Sequence, residues 1–108
     1  MNLKNISKAI ALSAIVASSI LASDVVKIGV QAPITGEDAN EGQSIANFVR
    51  LIAEEKNAAG GLLGKQIEVV TWDDDAKAQK AAVCAKKLSN GGLIAVIGSY
   101  TSVTTEAV

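Results

Sequence analysis

Two clusters in this sequence carry side chains able to do chemistry. In IAVIGSYTSVTTEAV, Ile94 to Val108, the residues Thr101, Ser102, Thr104 and Thr105 place four hydroxyls in five positions directly after an apolar run. Short neutral donors where a helix begins can hold an anion together with the helix's unpaired N–H groups and partial positive charge. A carboxylate or phosphate is the natural guest of such a site. The local alternative is that Ser102 or Thr104 simply caps its own helix, and the residues of this segment alone favour the cap. No glycine-rich loop ending in Gly-Lys-Ser/Thr is present, which weighs against a nucleotide. Asp73, Asp74 and Asp75 form the second cluster. Consecutive carboxylates can hold a divalent cation, but the simpler expectation is that they satisfy the N-terminus of a helix starting there. No metal site is expected.

The rest of the composition narrows the chemistry further. The 108 residues contain no histidine, and Cys84 is the single cysteine. It sits among alanines in KAAVCAKKL, where a small buried apolar role is expected, and it has no histidine to serve as its base. No nucleophile–base pair is visible, so the expectation is a binding protein with no catalytic residue and no cofactor. A metal-dependent hydrolase or transferase built on Asp73 to Asp75 is the enzymatic alternative.

The head of the chain indicates a compartment. MNLKNISK is basic, Ala9 to Ser23 is apolar or small without a charge, and Asp24 follows, which is the layout of a secretory signal peptide. The uncharged segment is shorter than the roughly 20 residues of a bilayer-spanning helix. Residues 1–23 are therefore expected to be a leader and 24–108 the exported part. Losing Lys4 and Lys8 leaves eight basic against eleven acidic residues, about −3. That balance argues against nucleic acid or an anionic membrane surface as partner.

Positioning these groups requires a fold. VVKIGV (Val25 to Val30), QIEVVTW (Gln66 to Trp72) and LIAVIG (Leu93 to Gly98) are short apolar runs of the kind found in strands buried on both faces. Ile45, Phe48, Val49 and Ile52 make one helical stripe, and Ala78, Ala81, Ala82, Ala85 and Leu88 another. AAGG and SNGG are expected to close those helices. Alternating strands and helices predict a doubly wound parallel α/β sheet covered on both faces. If strand one lies between strands two and three, a switch point falls between strands one and three, and ligands bind there outside the carboxyl ends. The loops meeting at that point are Gln31 to Gly42, made acidic by Glu37, Asp38 and Glu41, and Ser99 to Thr105.

APITGEDANEGQ, AEEKNAAGGLLGKQIEVVTWDDDAKAQKAA and AVIGSYTSVTTEA together resemble the periplasmic substrate-binding proteins of branched-chain amino acid ABC transporters, the leucine/isoleucine/valine type. The motif carrying most of the likeness is N-x-x-G-G-L-x-G-K from Asn57, with Asp-Asp after the second strand and VIG before the hydroxyl loop. The resemblance implies a type I periplasmic-binding-protein-like fold of two lobes closing on a ligand, of which residues 24–108 begin the first. It implies an exported protein in the periplasm that captures an amino acid for an ABC importer, with a membrane permease as partner. A ligand-binding sensor domain of a receptor is the alternative. By the same resemblance, Ser102 gives its hydroxyl to the ligand's α-carboxylate, with Tyr100 and Thr101 beside it, and Glu41 lies near the ligand side chain. A carboxylate at that last position suits leucine poorly. Some relatives carry a disulfide that matches Ala76 and Thr101, so that bridge is absent here.

Overall fold

A computed structural model describes residues 24–108; the expected leader lies outside the described residues. Its three strands are β1 (Val25–Ala32), β2 (Gln66–Asp73) and β3 (Leu93–Ile97), all parallel and ordered β2-β1-β3. The helices are α1 (Ala39–Ala58), α2 (Ala78–Ser89) and the one-turn α3 (Ser102–Thr105). The doubly wound topology and the β1/β3 switch point are therefore as expected. Among the described residues no helix is long and apolar enough to cross a membrane.

Alternation along β1 assigns the two faces of the sheet. Val30 and Ala32 pack with Ala46, Ile45 and Val49 of α1 and with Val69 of β2. Gly29 points the other way, toward α2, where an added Cβ would come 3.0 Å from Leu88 Cδ2 and 2.7 Å from Leu93 Cδ1. On that face Ala81, Cys84 and Leu88 of α2 are buried. Cys84 thus takes the small apolar role expected of it; burial pushes its thiol pKa up, and Asp74 and Asp73 add to that.

One expectation about packing needs correction. Of the expected α1 stripe, Ile45 and Val49 pack on the core, but Phe48 and Ile52 are largely exposed, and small residues take the closest positions. Gly42, Ala46 and Ala53 are buried, whereas Phe48 is 64 % and Ile52 41 % exposed. The first turn of α1 comes down directly on backbone, where a Cβ on Gly42 would overlap the Pro33 carbonyl, so small residues take the sheet-facing positions. Phe48 and Ile52 instead wall an apolar groove of about 300 Å³ over Ile28, Val69 and Ile97. Helices lie on both faces of the sheet as expected; Ile94, Val96 and Ile97 are exposed because, among the described residues, β3 like β2 is an edge strand and α1 packs over β1 and β2 only.

Asn57, the first residue of the N-x-x-G-G motif, has a structural task. Its Nδ2 donates to the Ile67 carbonyl at 2.9 Å, and its Oδ1 accepts from the Ile67 N–H at 2.7 Å. One amide thereby ties the end of α1 to the start of β2. Gly61 then closes the helix, donating to the Lys56 carbonyl at 2.8 Å with φ +85°. Asn57→Ala is expected to cost about 1–2 kcal/mol in denaturant unfolding, because two backbone groups lose partners at once. A change within about 0.5 kcal/mol, the scatter of a neutral surface substitution, would show that water replaces the amide freely.

Candidate functional site

β1 and β3 are adjacent and parallel, so the segments leaving their carboxyl ends emerge at one rim of the sheet. The first is shorter than expected. β1 continues to Ala32 and α1 already begins at Ala39, which reduces the loop from Gln31–Gly42 to residues 33–38. Glu41 consequently lies in the first turn of α1, an exposed carboxylate where the helix's positive end favours one. It shares the rim with the hydroxyl segment and sits on a different element.

The hydroxyl segment follows β3. Tyr100 is 48 % exposed, Thr101 is half-buried and Ser102 is exposed. The cap of α3 is neither Ser102 nor Thr104. It is Thr101, whose Oγ1 accepts from the Thr104 N–H at 3.3 Å. The extended backbone of Thr101 (φ −87°, ψ 155°) suits the position before a helix, which Ser102 and Thr104, already helical, cannot occupy. Thr104 turns inward and is fully buried.

The three aspartates do not cap α2. Its N-cap is Lys77, with no side-chain cap and no acidic residue in its first turn. Each carboxylate is engaged elsewhere. Asp73 Oδ1 accepts from the N–H of Ile34 at 2.8 Å, of Asp75 at 2.9 Å and of Thr35 at 3.3 Å, and Oδ2 accepts from Thr35 Oγ1 at 2.6 Å. Asp74 is wholly buried; its Oδ2 receives Gln31 Nε2 at 3.3 Å and Ser99 Oγ at 3.0 Å, and its Oδ1 the Ala76 N–H at 3.0 Å. Asp75 pairs with Lys77 Nζ at 2.6 Å and Lys80 Nζ at 3.0 Å. The end of β2 is therefore a clamp: Asp73 grips the loop after β1, and Asp74 grips the loop after β3. Among the described residues no three Asp, Glu, His or Cys side chains converge as metal ligands.

The architecture and this rim now have relatives to be set beside. The sequence profile of periplasmic binding proteins matches residues 25–108. The chain belongs to the periplasmic binding protein family. It is 34 % identical over 90 residues to the leucine-, isoleucine-, valine-, threonine- and alanine-binding protein of Pseudomonas aeruginosa, covering 83 % of this chain and 24 % of that one. Among solved structures, it superposes on the branched-chain amino acid transporter substrate binding protein LivJ of Streptococcus pneumoniae, in complex with isoleucine. That match has a TM-score of 0.74 and 36 % identity, over 78 % of this chain and 24 % of that one. A fatty acid ABC transporter substrate-binding protein from Thermomonospora curvata matches with a TM-score of 0.73 and 32 % identity, over 78 % of this chain and 21 % of that one. The chain spans about a quarter of the length of these relatives.

For this periplasmic binding protein, sequence reading missed Ser99, Gln31 and Thr35, the side-chain partners of the aspartate clamp, and read Thr104 as a possible helix cap where it links to the clamp through Ser99. Their signal was weak: each is a single polar residue at a strand end or helix start. Only the Asp-Asp pair directly after an apolar strand pointed to a rim with backbone donors to satisfy.

The clamp makes a pH prediction. Desolvation raises the pKa of Asp73, but the Thr35 hydroxyl and the N–H groups of Asp75, Ile34 and Thr35 outweigh it and hold the carboxyl below its ordinary 3.8. Asp75 is also held low, first by its hydrogen bonds to Lys77 and Lys80. A carboxyl with a depressed folded pKa stabilises fully above its unfolded value and loses that contribution as pH falls through the folded one. The melting temperature is therefore expected to be flat from neutrality to about pH 5 and to fall below about pH 4. Asp73→Asn should flatten that acid limb; an unchanged limb would remove Asp73 from the account.

Proposed function

We propose that this chain opens the first lobe of an exported solute-binding protein that captures a small carboxylate, an amino acid of the branched-chain or a related kind, for an ABC importer. The observation that carries it is the convergence of residues 33–38 and 99–102 at the carboxyl rim of β1 and β3, the switch point where open α/β sheets bind ligands. Ser102 presents an exposed hydroxyl there, next to Tyr100 and Thr101. Isoleucine and fatty acids, for which two relatives are named, share a carboxylate and an apolar tail. We assign the carboxylate to Ser102, Thr101 and Tyr100. Glu41, across the rim on α1, is assigned to the far end of the ligand, where a carboxylate favours a polar or cationic group over a bare alkyl tail. Residues 1–23 act as the export signal, and a membrane permease takes the ligand from the closed protein. Binding requires no covalent step; closure of the two lobes is a population shift drawn by the ligand's preference for the closed state.

The test is a thermal-shift screen of the complete protein against the twenty amino acids and a set of simple carboxylic acids. A ligand at a hundred times its Kd stabilises by about 2.7 kcal/mol, which such a screen detects. A carboxylate-bearing solute should give the largest upward shift. If no carboxylate shifts the transition, the assignment fails.

A further inference from the structure

The interior of the rim contains a chain of hydrogen bonds that no ligand contact explains. Asp74 and Thr104 are both fully buried, and Ser99 lies between them. Ser99 Oγ is bonded to Asp74 Oδ2 at 3.0 Å and to Thr104 Oγ1. Thr104 Oγ1 is in turn 2.8 Å from Thr101 Oγ1 and 3.0 Å from the Thr101 carbonyl.

Both oxygens of Asp74 receive N–H donors, from Ala76 and Gln31, so this side chain acts as an acceptor. The single hydroxyl proton of Ser99 lies between the Asp74 carboxylate and Thr104 Oγ1. Thr104 Oγ1 donates to the Thr101 carbonyl, its contact with Thr101 Oγ1 can be donated from either side, and Thr101 Oγ1 accepts the Thr104 N–H. Ser102, exposed and next in sequence, stands outside the chain with its backbone held by it.

We propose that Asp74 is a positioning residue for the ligand loop: acting through Ser99 and Thr104, its buried carboxylate fixes the conformation of Thr101 and Ser102 in which the Ser102 hydroxyl meets the ligand. The proposal rests on the carboxylate-binding role of Ser102 given above. It adds that the hydroxyl chain behind the loop sets affinity without touching the ligand. An ordered loop binds without first losing conformational freedom, so loosening it weakens binding with every direct contact still present.

Thr104 provides the cleanest test, because Thr104→Val keeps the buried shape and removes the hydroxyl, while Thr104→Ser keeps the hydroxyl. Both, with Asp74→Asn and Ser102→Ala, are made in the complete protein and read two ways. The first is amide hydrogen exchange without ligand. Thr104→Val and Asp74→Asn should speed exchange of the Thr105 and Glu106 amides about tenfold or more while β1 and β2 amides hold their rates; general destabilisation would instead speed all of them. The second is calorimetric affinity for whichever of the twenty amino acids gives the parent the largest upward thermal shift. Here Thr104→Val should weaken binding roughly tenfold, with Thr104→Ser returning to within about twofold of the parent. If Asp74→Asn fails to fold, the Thr104 pair decides alone. Exchange and affinity both unchanged in Thr104→Val overturn the proposal. If Ser102→Ala then still loses affinity, only the positioning role falls and the carboxylate site stands. If exchange quickens in Thr104→Val but affinity responds to neither it nor Ser102→Ala, both the positioning role and the carboxylate site are overturned.

Discussion

Asp74→Ala is expected to lower the unfolding free energy by about 3–4 kcal/mol, the largest stability effect of any single substitution considered for this chain. The side chain is wholly buried and accepts from three donors on three different segments: Gln31 at the end of β1, Ala76 after β2 and Ser99 after β3. Hydrogen bonds to a charged group contribute roughly 1.5–3 kcal/mol each, and a buried donor left unpaired costs about 1–3 kcal/mol. The three do not add in full, since truncation opens space for a water that serves one or two of the orphans. Asp74→Asn keeps the shape and one carbonyl acceptor and should cost less than half as much. Urea unfolding of both variants checks this, and a loss below about 1 kcal/mol for alanine would mean that the carboxylate is held without holding anything.

Ser102→Ala is expected to weaken ligand binding by about 1–3 kcal/mol, roughly 5- to 150-fold in Kd, while leaving the melting temperature of the ligand-free protein unchanged. The size follows from losing one hydrogen bond to an ionised carboxylate inside a closed cleft. The absence of a stability effect follows from the exposure of Ser102 and from the cap being carried by Thr101. Thr105→Ala supplies the comparison. That hydroxyl donates to the Thr101 carbonyl at 2.8 Å and faces its own helix, so its removal should leave affinity within about twofold of the parent. Calorimetry with the solute that gives the largest thermal shift separates the two. Equal affinities for Ser102→Ala and the parent would remove this serine from the site.

Much of the architecture was legible in the residues because the signals were local and redundant. Three apolar runs, two alanine- or isoleucine-bearing stripes and two paired-glycine stops dictate the β-α-β-α-β order. Parallel pairing follows from that alternation, whereas β1 in the middle stood only as a condition in the sequence and is supplied by the fold. Phe48 and Ile52 misled for a reason that period alone cannot reveal. Which arc of an amphipathic helix meets a sheet depends on how close the backbones come, and Gly42 against Pro33 is a tertiary fact. The aspartates misled similarly. Their reading as caps assumed that α2 begins beside them, whereas Asp75 and Ala76 turn left-handed, φ 50° and 53°, and carry the chain away before Ala78 starts the helix. The hydroxyl segment was legible as a helix cap or an anion site, without the division of tasks among its residues. Four equivalent-looking hydroxyls divide into a cap at Thr101, a buried link at Thr104, an exposed donor at Ser102 and a helix-facing group at Thr105, and only the fold separates them.

β3 has a practical consequence for anyone who expresses residues 24–108 alone. Its outer side carries no partner strand among the described residues, and Ile94, Val96 and Ile97 stand 59, 47 and 43 % open to water. A flat, β-branched, uncharged margin of this sort is a template onto which another polypeptide can add in register. Such a preparation should self-associate through that margin, and a lysine in place of Val96 should be enough to keep it in solution.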